Sequence, residues 1–207
     1  MTEIVIHGRG GQGAVTAAKI LAMAALADGK FAIYRPGLFA AERMGAPVKA
    51  FVRISDEEIY RRYKITSADG MIILDPSLLS LGAIDVLNGV KKGGWVVINS
   101  RNLGDYPDIM EGVASLHFSR ATAIDATSLA LKHGLGATIV NTAILGMFAA
   151  PPFSLVSLDA LLRVVTTTVP RKTKENLAAL QEVYEIGRER FRLGQSLNEE
   201  RCRDEQG

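Results

Sequence analysis

Residues 3–27 read EIVIHGRGGQGAVTAAKILAMAALA, and this stretch decides the fold. The apolar run Glu3–His7 predicts a short buried strand, which the following glycines end. From about Gly13 to Ala27, small and apolar side chains recur at helical spacing and predict a helix that can lie close to a sheet. A strand, a glycine-rich turn and a helix in immediate succession are typical of the first crossover of an α/β domain.

Further strands and helices alternate along the chain. Apolar runs predict strands over Phe31–Tyr34, Val48–Ile54, Met71–Leu74, Trp95–Ile98 and, more weakly, Ala114–Phe118. Helical spacing predicts a short helix with Leu78, Leu79 and Leu81, and longer helices over Ala126–Lys132, Thr138–Phe148, Leu158–Val169 and Lys172–Phe191. Within Val48–Ile54, the alternation predicts a wetter face that carries Lys49, Phe51 and Arg53.

Strands that alternate with helices form a mostly parallel sheet with right-handed crossovers. We therefore expect an α/β fold, a three-layer Rossmann-like domain with a helical C-terminal region. We assign residues 1–192 to this single domain and expect the charged C-terminal tail, 193–207, to be flexible. In such sheets ligands bind at the carboxyl ends of the strands. Four segments should therefore meet at one edge, where the strands end at Gly8, Arg35, Asp75 and Asn99.

The glycine turn matches the pattern G-x-G-x-x-G. Glycines allow positive φ angles and remove Cβ atoms, so backbone N–H groups can approach an anion. The start of the helix adds partial positive charge, and Arg9 can add a bidentate contact to a phosphate or a carboxylate. The alternative is a loop that only packs the helix tightly against the sheet.

The dinucleotide interpretation also requires an acidic residue about 20 residues further on, to bind a ribose. The second predicted strand ends instead in Arg35, which argues against NAD but is compatible with the extra phosphate of NADP. No Lys-Ser or Lys-Thr pair follows the glycines, so the motif is not a P-loop.

Composition limits the classes of function. The chain has 207 residues with 24 basic and 22 acidic side chains, and a net charge of +2 gives no electrostatic footprint for nucleic acid. A mean hydropathy of +0.15 is high, which we interpret as extra buried surface at a subunit interface. The single cysteine, Cys202, can form neither an internal disulfide nor a four-cysteine cluster, and it favours a reducing, cytoplasmic setting.

Neither a leader peptide nor a membrane span is expected. The N-terminus lacks a positively charged leader with an apolar core. The most apolar stretch, Thr142–Leu162, is interrupted by Pro151 and Pro152, and we interpret it as two buried helices joined by a turn rather than as a membrane span.

Three other features carry weaker signals. The stretch Ala41–Val48 places a Glu–Arg pair beside Gly and Pro, which is typical of a shaped loop, although an exposed pair of this kind contributes under about 1 kcal/mol. Asn141 precedes an apolar helix and is explained sufficiently as its N-cap. The histidines lack metal-ligand spacing, and we expect core or surface positions for His7, His117 and His133.

Five motifs, in order and spacing, resemble the gamma subunit (or gamma domain) of 2-oxoacid:ferredoxin oxidoreductases, the pyruvate synthase type especially. They are His7–Gly13, Glu42-Arg43-Met44-Gly45-Ala46-Pro47, Asp75-Pro76-Ser77-Leu78-Leu79, Asp125-Ala126-Thr127 and Asn141-Thr142-Ala143-Ile144-Leu145-Gly146. The resemblance covers roughly residues 3–190. Many members carry Tyr/Phe-Gly within the stretch 39–41, and an Arg or a Thr at position 44; these departures leave the substrate class open.

The resemblance implies oxidative decarboxylation of a 2-oxoacid, which gives an acyl-CoA, CO2 and reduced ferredoxin. Enzymes of this kind use thiamine diphosphate with Mg, 4Fe–4S clusters and coenzyme A. This chain has neither the G-D-G…N-N signature for the diphosphate and Mg nor C-x-x-C-x-x-C runs. The resemblance therefore implies alpha, beta and delta (ferredoxin-like) partner subunits, ferredoxin as the acceptor, and an isolated chain without activity.

The resemblance also leads to a site hypothesis. We expect one group of residues to lie next to the thiamine cofactor and to help hold coenzyme A, whose phosphates suit N–H donors and arginine forks. The group is Gly8, Arg9, Gly10, Gly11, Gln12, Gly13, Arg43 and Asn141. We assign no catalytic and no metal-binding residue to this chain.

Other interpretations remain open from the sequence. The same residues could instead join the subunit to its partners. Beyond this family, the chain could be a free-standing NADP-binding oxidoreductase or a non-catalytic nucleotide-binding module. The sequence does not select among pyruvate, 2-oxoglutarate, branched-chain oxoacids and aryl glyoxylates, nor does it decide whether the isolated chain forms homodimers.

Overall fold

The computed structural model describes residues 1–37, 44–61, 63–80, 86–115 and 117–204, with side chains described up to residue 193. The strands are β1 Thr2–Arg9, β2 Phe31–Pro36, β3 Pro47–Ser55, β4 Ala68–Ile73, β5 Val90–Asn99 and β6 Phe118–Ile124. The α-helices of the described part are α1 Ala14–Ala27, α2 Pro107–Ala114, α3 Ala126–Lys132, α4 Asn141–Ile144, α5 Leu158–Thr168 and α6 Thr173–Asp204. Short 3-10 helices occupy Pro76–Leu78, Leu103–Asp105 and Leu145–Phe148.

The strands form one six-stranded sheet in the order β2-β3-β1-β4-β5-β6. β1, β4, β5 and β6 run parallel to one another. β3 is antiparallel to both β1 and β2, so β2 points the same way as β1. Residues 37–46 are too short a connection for a parallel crossover, which needs about a dozen residues or more, and this explains the reversal of β3. The expected α/β fold with a mostly parallel sheet is confirmed.

One face of the sheet carries the larger core. Ile4, Ile6, Val52 and Ile72 point to this face and are fully buried. α1 lies against β1, β2 and β3; α4 and α5 pack beside α1, and α6 packs on them. The small side chains of α1 allow its close approach to the sheet, as the sequence predicts.

The opposite face is covered unevenly. Across β4, β5 and β6 its apolar side chains are buried, and Ile109 of α2 contributes to this second core. Across β2 and β3 the same face is more open, since Phe31 is 44% exposed and Lys49 is also exposed. Among the described helices, only α1 makes extensive contact with β2 and β3, and it lies on the other side of the sheet.

The expected wetter face of β3 is wrong at Arg53, which is only 3% exposed. Arg53 lies opposite Glu3 in the register of β1 and β3, and its Nε donates to the Glu3 carboxylate at 2.9 Å. Its Nη2 also donates to the Tyr63 carbonyl at 2.7 Å. Charge pairing, which the alternation pattern does not register, allows this guanidinium to be buried.

The predicted strand Ala114–Phe118 is wrong. A helix, α2, ends at Ala114, and the strand β6 begins at Phe118. Pro107 occupies the first turn of α2, where a missing N–H costs little. The polar residues of β6, Ser119 and Arg120 among them, hide its strand character from a search for apolar runs.

Other boundaries shift by smaller amounts. The helix predicted after Asp75 is a 3-10 turn over Pro76–Leu78, and Leu81 lies outside the described residues. The helix predicted over Thr138–Phe148 is α4 followed by the 3-10 helix Leu145–Phe148. The last helix, predicted to end at Phe191, continues to Asp204. Within the described ranges, no helix combines the length and the apolar character that crossing a membrane requires.

Candidate functional site

The carboxyl ends of β1, β4 and β5 meet at one edge of the sheet, as expected. The N–H of Leu74, which follows β4, donates to the His7 carbonyl of β1 at 2.8 Å. Asn99, at the end of β5, donates from Nδ2 to the Leu74 carbonyl at 2.9 Å. The prediction is wrong for Arg35: it pairs with Phe51, which pairs with Val5, so it lies level with the middle of β1 and three residues short of Gly8. β2 starts lower in the sheet than β1, and this offset depends on the pairing with β3, which the sequence pattern does not reveal.

The turn between β1 and α1 is closed by its own side chains and backbone. The N–H of Arg9 donates to Gln12 Oε1 at 2.7 Å, and the N–H of Gln12 donates to the Arg9 carbonyl at 3.0 Å. Gly11 and Gly13 have φ angles of 96° and 75°, which L side chains rarely adopt. Gly13 is the N-cap of α1, whose first turn contains no acidic residue. The partial positive charge at this helix start is therefore not offset within the helix.

Asp75 connects the glycine turn to the end of β4. Its carboxylate accepts hydrogen bonds from Gln12 Nε2 at 2.7 Å, from the Ser77 N–H at 3.0 Å and from Ser77 Oγ at 2.6 Å. Arg9 Nε lies 3.3 Å from the same carboxylate. Burial opposes ionisation, but the hydrogen bonds from Ser77 and Gln12 and the charge of Arg9 outweigh it, so the pKa of Asp75 is lower than usual.

The guanidinium of Arg9 is engaged mainly by the protein itself. Its Nε and Nη2 donate to Ser77 Oγ at 3.1 and 2.8 Å, and its Nη1 donates to the Gly45 carbonyl at 3.0 Å. The side chain is 26% exposed, so part of it faces solvent at the edge. Arg9 therefore clamps the segment around Gly45 onto the glycine turn, a role that the sequence argument does not include.

Backbone hydrogen bonds join this second segment to the glycine turn directly. The N–H of Gly10 donates to the Ala46 carbonyl at 2.8 Å, and the N–H of Gly45 donates to the Gly10 carbonyl at 3.1 Å. Met44 lies beside Gly11 and is 88% exposed. Arg43, which the sequence places in the site, lies outside the described residues, and its role stays a prediction.

Asn141 reaches the glycine turn from the C-terminal half of the chain. A Cβ atom built on Gly13 would lie 2.7 Å from Asn141 Nδ2, so the two residues are in close contact. Asn141 is 7% exposed, and its side chain makes no hydrogen bond to any residue that the structure describes. The N-cap interpretation is wrong, because Val140 caps α4 and no side chain bonds the helix end.

The motif Asp125-Ala126-Thr127 lies at the same edge, beside β5. Asn99 Nδ2 donates to Thr127 Oγ1 at 2.9 Å, and the N–H of Thr127 donates to Asn99 Oδ1 at 3.2 Å. Asp125 caps α3 by accepting from the Ser128 N–H at 2.9 Å. These contacts hold Asn99 at the end of β5, so the motif has a structural role at this edge.

The histidines occupy core and surface positions. His7 is 4% exposed on β1, and burial together with the nearby Lys49 charge lowers its pKa to about 4, so it is neutral at pH 7. His133 pairs with Glu182 of α6 through a 2.6 Å contact. In the part of the chain described by the structure, no three His, Cys, Asp or Glu side chains are grouped as metal ligands would be.

The site thus joins residues of the predicted site with two that the prediction left out of it. The glycine turn and Asn141 come together. Asp75 and Ser77, which organise the turn, were missing from the predicted site. The motif Asp75–Leu79 and the position of Asp75 after a buried strand were the available signals for them.

Comparison with known proteins identifies the family. A family model described as pyruvate ferredoxin/flavodoxin oxidoreductase matches residues 3–186. The chain belongs to this family. It is 44% identical over 186 residues to the pyruvate synthase subunit PorC of Methanothermobacter marburgensis, a match covering 89% of this chain and 97% of that protein.

Solved structures support the assignment. The crystal structure of the pyruvate oxidoreductase subunit PORC of Thermotoga maritima superimposes with a TM-score of 0.70 at 31% identity, covering 89% of this chain and 95% of that one. A 2-oxoglutarate:ferredoxin oxidoreductase of Magnetococcus marinus, solved with 2-oxoglutarate, coenzyme A and succinyl-CoA bound, gives a TM-score of 0.66 at 22% identity. That match covers 90% of this chain but 30% of the longer one, and it shows the shared fold.

Proposed function

We propose that this chain is the gamma subunit of a multi-subunit 2-oxoacid:ferredoxin oxidoreductase and that its carboxyl edge forms part of the coenzyme A site. The observation that carries the proposal is the convergence of the glycine turn, the segment around Gly45 and Asn141 at one edge. Family membership favours this subunit over a free-standing NADP-dependent oxidoreductase or a nucleotide-binding module. The oxidoreductase converts a 2-oxoacid, coenzyme A and oxidised ferredoxin into an acyl-CoA, CO2 and reduced ferredoxin.

The edge has the chemistry that a phosphorylated ligand needs. The start of α1 presents backbone N–H groups without an acidic residue in the first turn. The Asn141 amide is buried beside Gly13 and has no partner among the described residues. An amide donor and a helix start that converge on one point suit a phosphate of coenzyme A.

Arg9 and Asp75 support this site through their contacts with the turn. Their mutual contacts and those to Ser77 and Gly45 hold the turn in shape, so we assign them positioning roles. The proposal therefore differs from the sequence hypothesis in one respect, because Arg9 acts mainly by holding the turn. Arg43 remains a proposed contact to the phosphates of coenzyme A, on the strength of the motif it belongs to.

The rest of the enzyme belongs to companion subunits. The resemblance assigns thiamine diphosphate, its Mg and the 4Fe–4S clusters to alpha, beta and delta subunits, and one cysteine in this chain supports that division. We propose that the isolated chain is inactive and that the complex works in the cytoplasm with ferredoxin as acceptor. The choice of 2-oxoacid rests with the subunits that hold the thiamine cofactor.

The test is a titration of coenzyme A with the assembled complex. Asn141→Asp places a negative charge where a phosphate is proposed to bind, and we expect the KM for coenzyme A to rise at least about tenfold, since like charges in a desolvated contact repel strongly. Arg43→Ala should raise the same KM by a smaller factor. The KM for the 2-oxoacid should not change in either variant.

The matched control is Asn88→Asp, the same substitution at an exposed residue next to the amino end of β5, on the opposite edge of the sheet. It should leave the KM for coenzyme A unchanged. If Asn141→Asp and Arg43→Ala both assemble normally and both keep the wild-type KM, the edge does not bind coenzyme A. In that case its residues serve only to join the subunits.

A further inference from the structure

The open half of the sheet carries a patch of mixed character, which we call the β2–β3 patch: Phe31, Ile33, Arg35, Lys49 and Phe51. Cross-strand partners point to the same face of a sheet. Arg35 pairs with Phe51, which pairs with Val5, and Lys49 pairs with His7. All five residues therefore lie on the face opposite α1.

Exposure distinguishes this patch from the rest of the same face. Val96 and Ile98 of β5 are fully buried there, whereas Phe31 is 44% exposed and Ile33 and Phe51 are half-buried. Arg35 and Lys49 are exposed. β2 is also the edge strand of the sheet, and exposed aromatic residues at an edge strand are a liability unless something covers them.

All charged side chains of the patch are positive. Neither β2 nor β3 contains an Asp or a Glu, and Arg35 and Lys49 have no ion-pair partner among the described residues. Glu3 lies on the same face, but it is engaged by Arg53 and Lys91 at 2.9 and 3.2 Å. The patch thus presents three apolar side chains with two cations toward one end, and no carboxylate on its own strands.

We propose that the β2–β3 patch is the docking surface for a companion subunit that presents Asp or Glu side chains beside an apolar patch. This inference rests on the proposed function, because it takes the companion from the same oxidoreductase. Opposite charges at the rim of an interface speed association and exclude wrong partners, while the apolar centre contributes most of the affinity. The location also brings the companion near the glycine turn, because Lys49 pairs with His7, the residue before Gly8.

Two other occupants fit the patch less well. A second copy stacked face to face would place the same cations in one interface, with no carboxylate on either strand to offset them. A small anion would use the cations but would leave Phe31, Ile33 and Phe51 exposed. The combination of charges and apolar area therefore points to an acidic protein surface.

The experiment measures assembly of the complex from this chain and its companion subunits. We expect the double variant Arg35→Glu/Lys49→Glu to raise the apparent dissociation constant at least about 100-fold, because two attractive contacts become repulsive. Phe31→Ala should raise the apparent dissociation constant by about fivefold, and the salt dependence of this constant should stay that of the wild type. The control Lys19→Glu reverses an exposed cation of α1 on the other face and should change it less than about twofold.

Each outcome is decisive. Equal melting temperatures of the isolated double variant and wild type confirm that the variant is folded, and its loss of assembly then supports the patch. Normal assembly of the double variant overturns the docking proposal alone. Failure of the wild type to assemble with the companion subunits overturns both the docking proposal and the proposed function. A higher KM for coenzyme A in a normally assembled double variant would assign the cations to an anion. A dimer of the isolated chain that the double variant dissociates would assign the patch to a second copy.

Discussion

At the scale of single residues, one carboxylate organises the site. Asp75 accepts hydrogen bonds from the glycine turn and from Ser77 and faces the Arg9 guanidinium. Its lowered pKa means that it is ionised throughout the physiological range. The ionised state of Asp75 and the geometry of the glycine turn therefore depend on each other.

Asp75→Asn should lower the free energy of unfolding by about 1–2 kcal/mol at pH 7, because it removes a charge-assisted acceptor. A carboxyl group with a lowered pKa contributes its full stabilisation at pH values well above 3.8, its ordinary pKa. This contribution decreases as the pH falls below 3.8 and is lost once the pH falls through the lowered pKa of the folded state. The difference between wild type and variant should therefore shrink at pH 3. Urea unfolding at both pH values measures it, with the exposed Asp56→Asn as the control; an equal loss at pH 7 in the control would contradict the argument.

A second residue-scale prediction concerns His7. Its pKa is lowered to about 4, so between that value and 6.5 the unfolded chain binds a proton that the folded chain does not. Stability should rise with pH through this window, and this group should account for about 2 kcal/mol between pH 5 and pH 7.5. His7→Leu should remove that part of the pH dependence and His117→Gln should keep it. Identical profiles for His7→Leu and wild type would show that His7 is not held neutral.

At the scale of elements, the glycine turn is shaped by its contact with α4. Gly13 combines a φ of 75° with the Asn141 side chain in close contact, while Gly29 has a φ of 79° and open space around it. The two glycines therefore share a backbone requirement and differ in their surroundings.

Gly29→Ala should lower the free energy of unfolding by about 1 kcal/mol, from backbone strain alone. Gly13→Ala should cost about 1–3 kcal/mol more, since Asn141 must also move. The additional cost should be largely absent when Gly13→Ala is introduced into an Asn141→Ala background, a coupling that a double-mutant cycle measures. Equal losses of unfolding free energy at the two glycines would mean that Asn141 can move aside without an energetic penalty.

Sequence reasoning located the elements unevenly. β1, the glycine turn and α1 were predicted within two residues, because an apolar run, glycines and alanines all change character at their boundaries. β6 was misplaced, because its polar residues look like a loop and the pairing that makes it a strand comes from β5. The short α4 was merged with the 3-10 helix after it, since both share one apolar run.

The site was predictable only in part for the same reason. The glycine pattern identifies residues that are neighbours in sequence. The bonds from Gln12 to Asp75 and from Arg9 to Gly45 join residues far apart in the chain. Asn141 was explained by a local rule, capping, whereas its actual neighbour is Gly13, which lies in the first crossover.

At the scale of the whole molecule, the two sheet faces have different tasks. One face is sealed by α1, α4, α5 and α6, which stabilises the subunit itself. The β2–β3 half of the other face is more open, and the carboxyl edge carries the glycine turn with Asp75 and Asn141. We therefore propose that the subunit completes its function only when companion subunits cover the open surface.

The most direct test is to add the subunit back to a complex that lacks it. The companion subunits without this chain should not reduce ferredoxin when supplied with a 2-oxoacid and coenzyme A, and stoichiometric addition of the purified chain should restore the reaction. The purified chain alone should reduce none. Full coenzyme A-dependent activity in the complex that lacks this chain, or turnover by the isolated chain, would contradict the account.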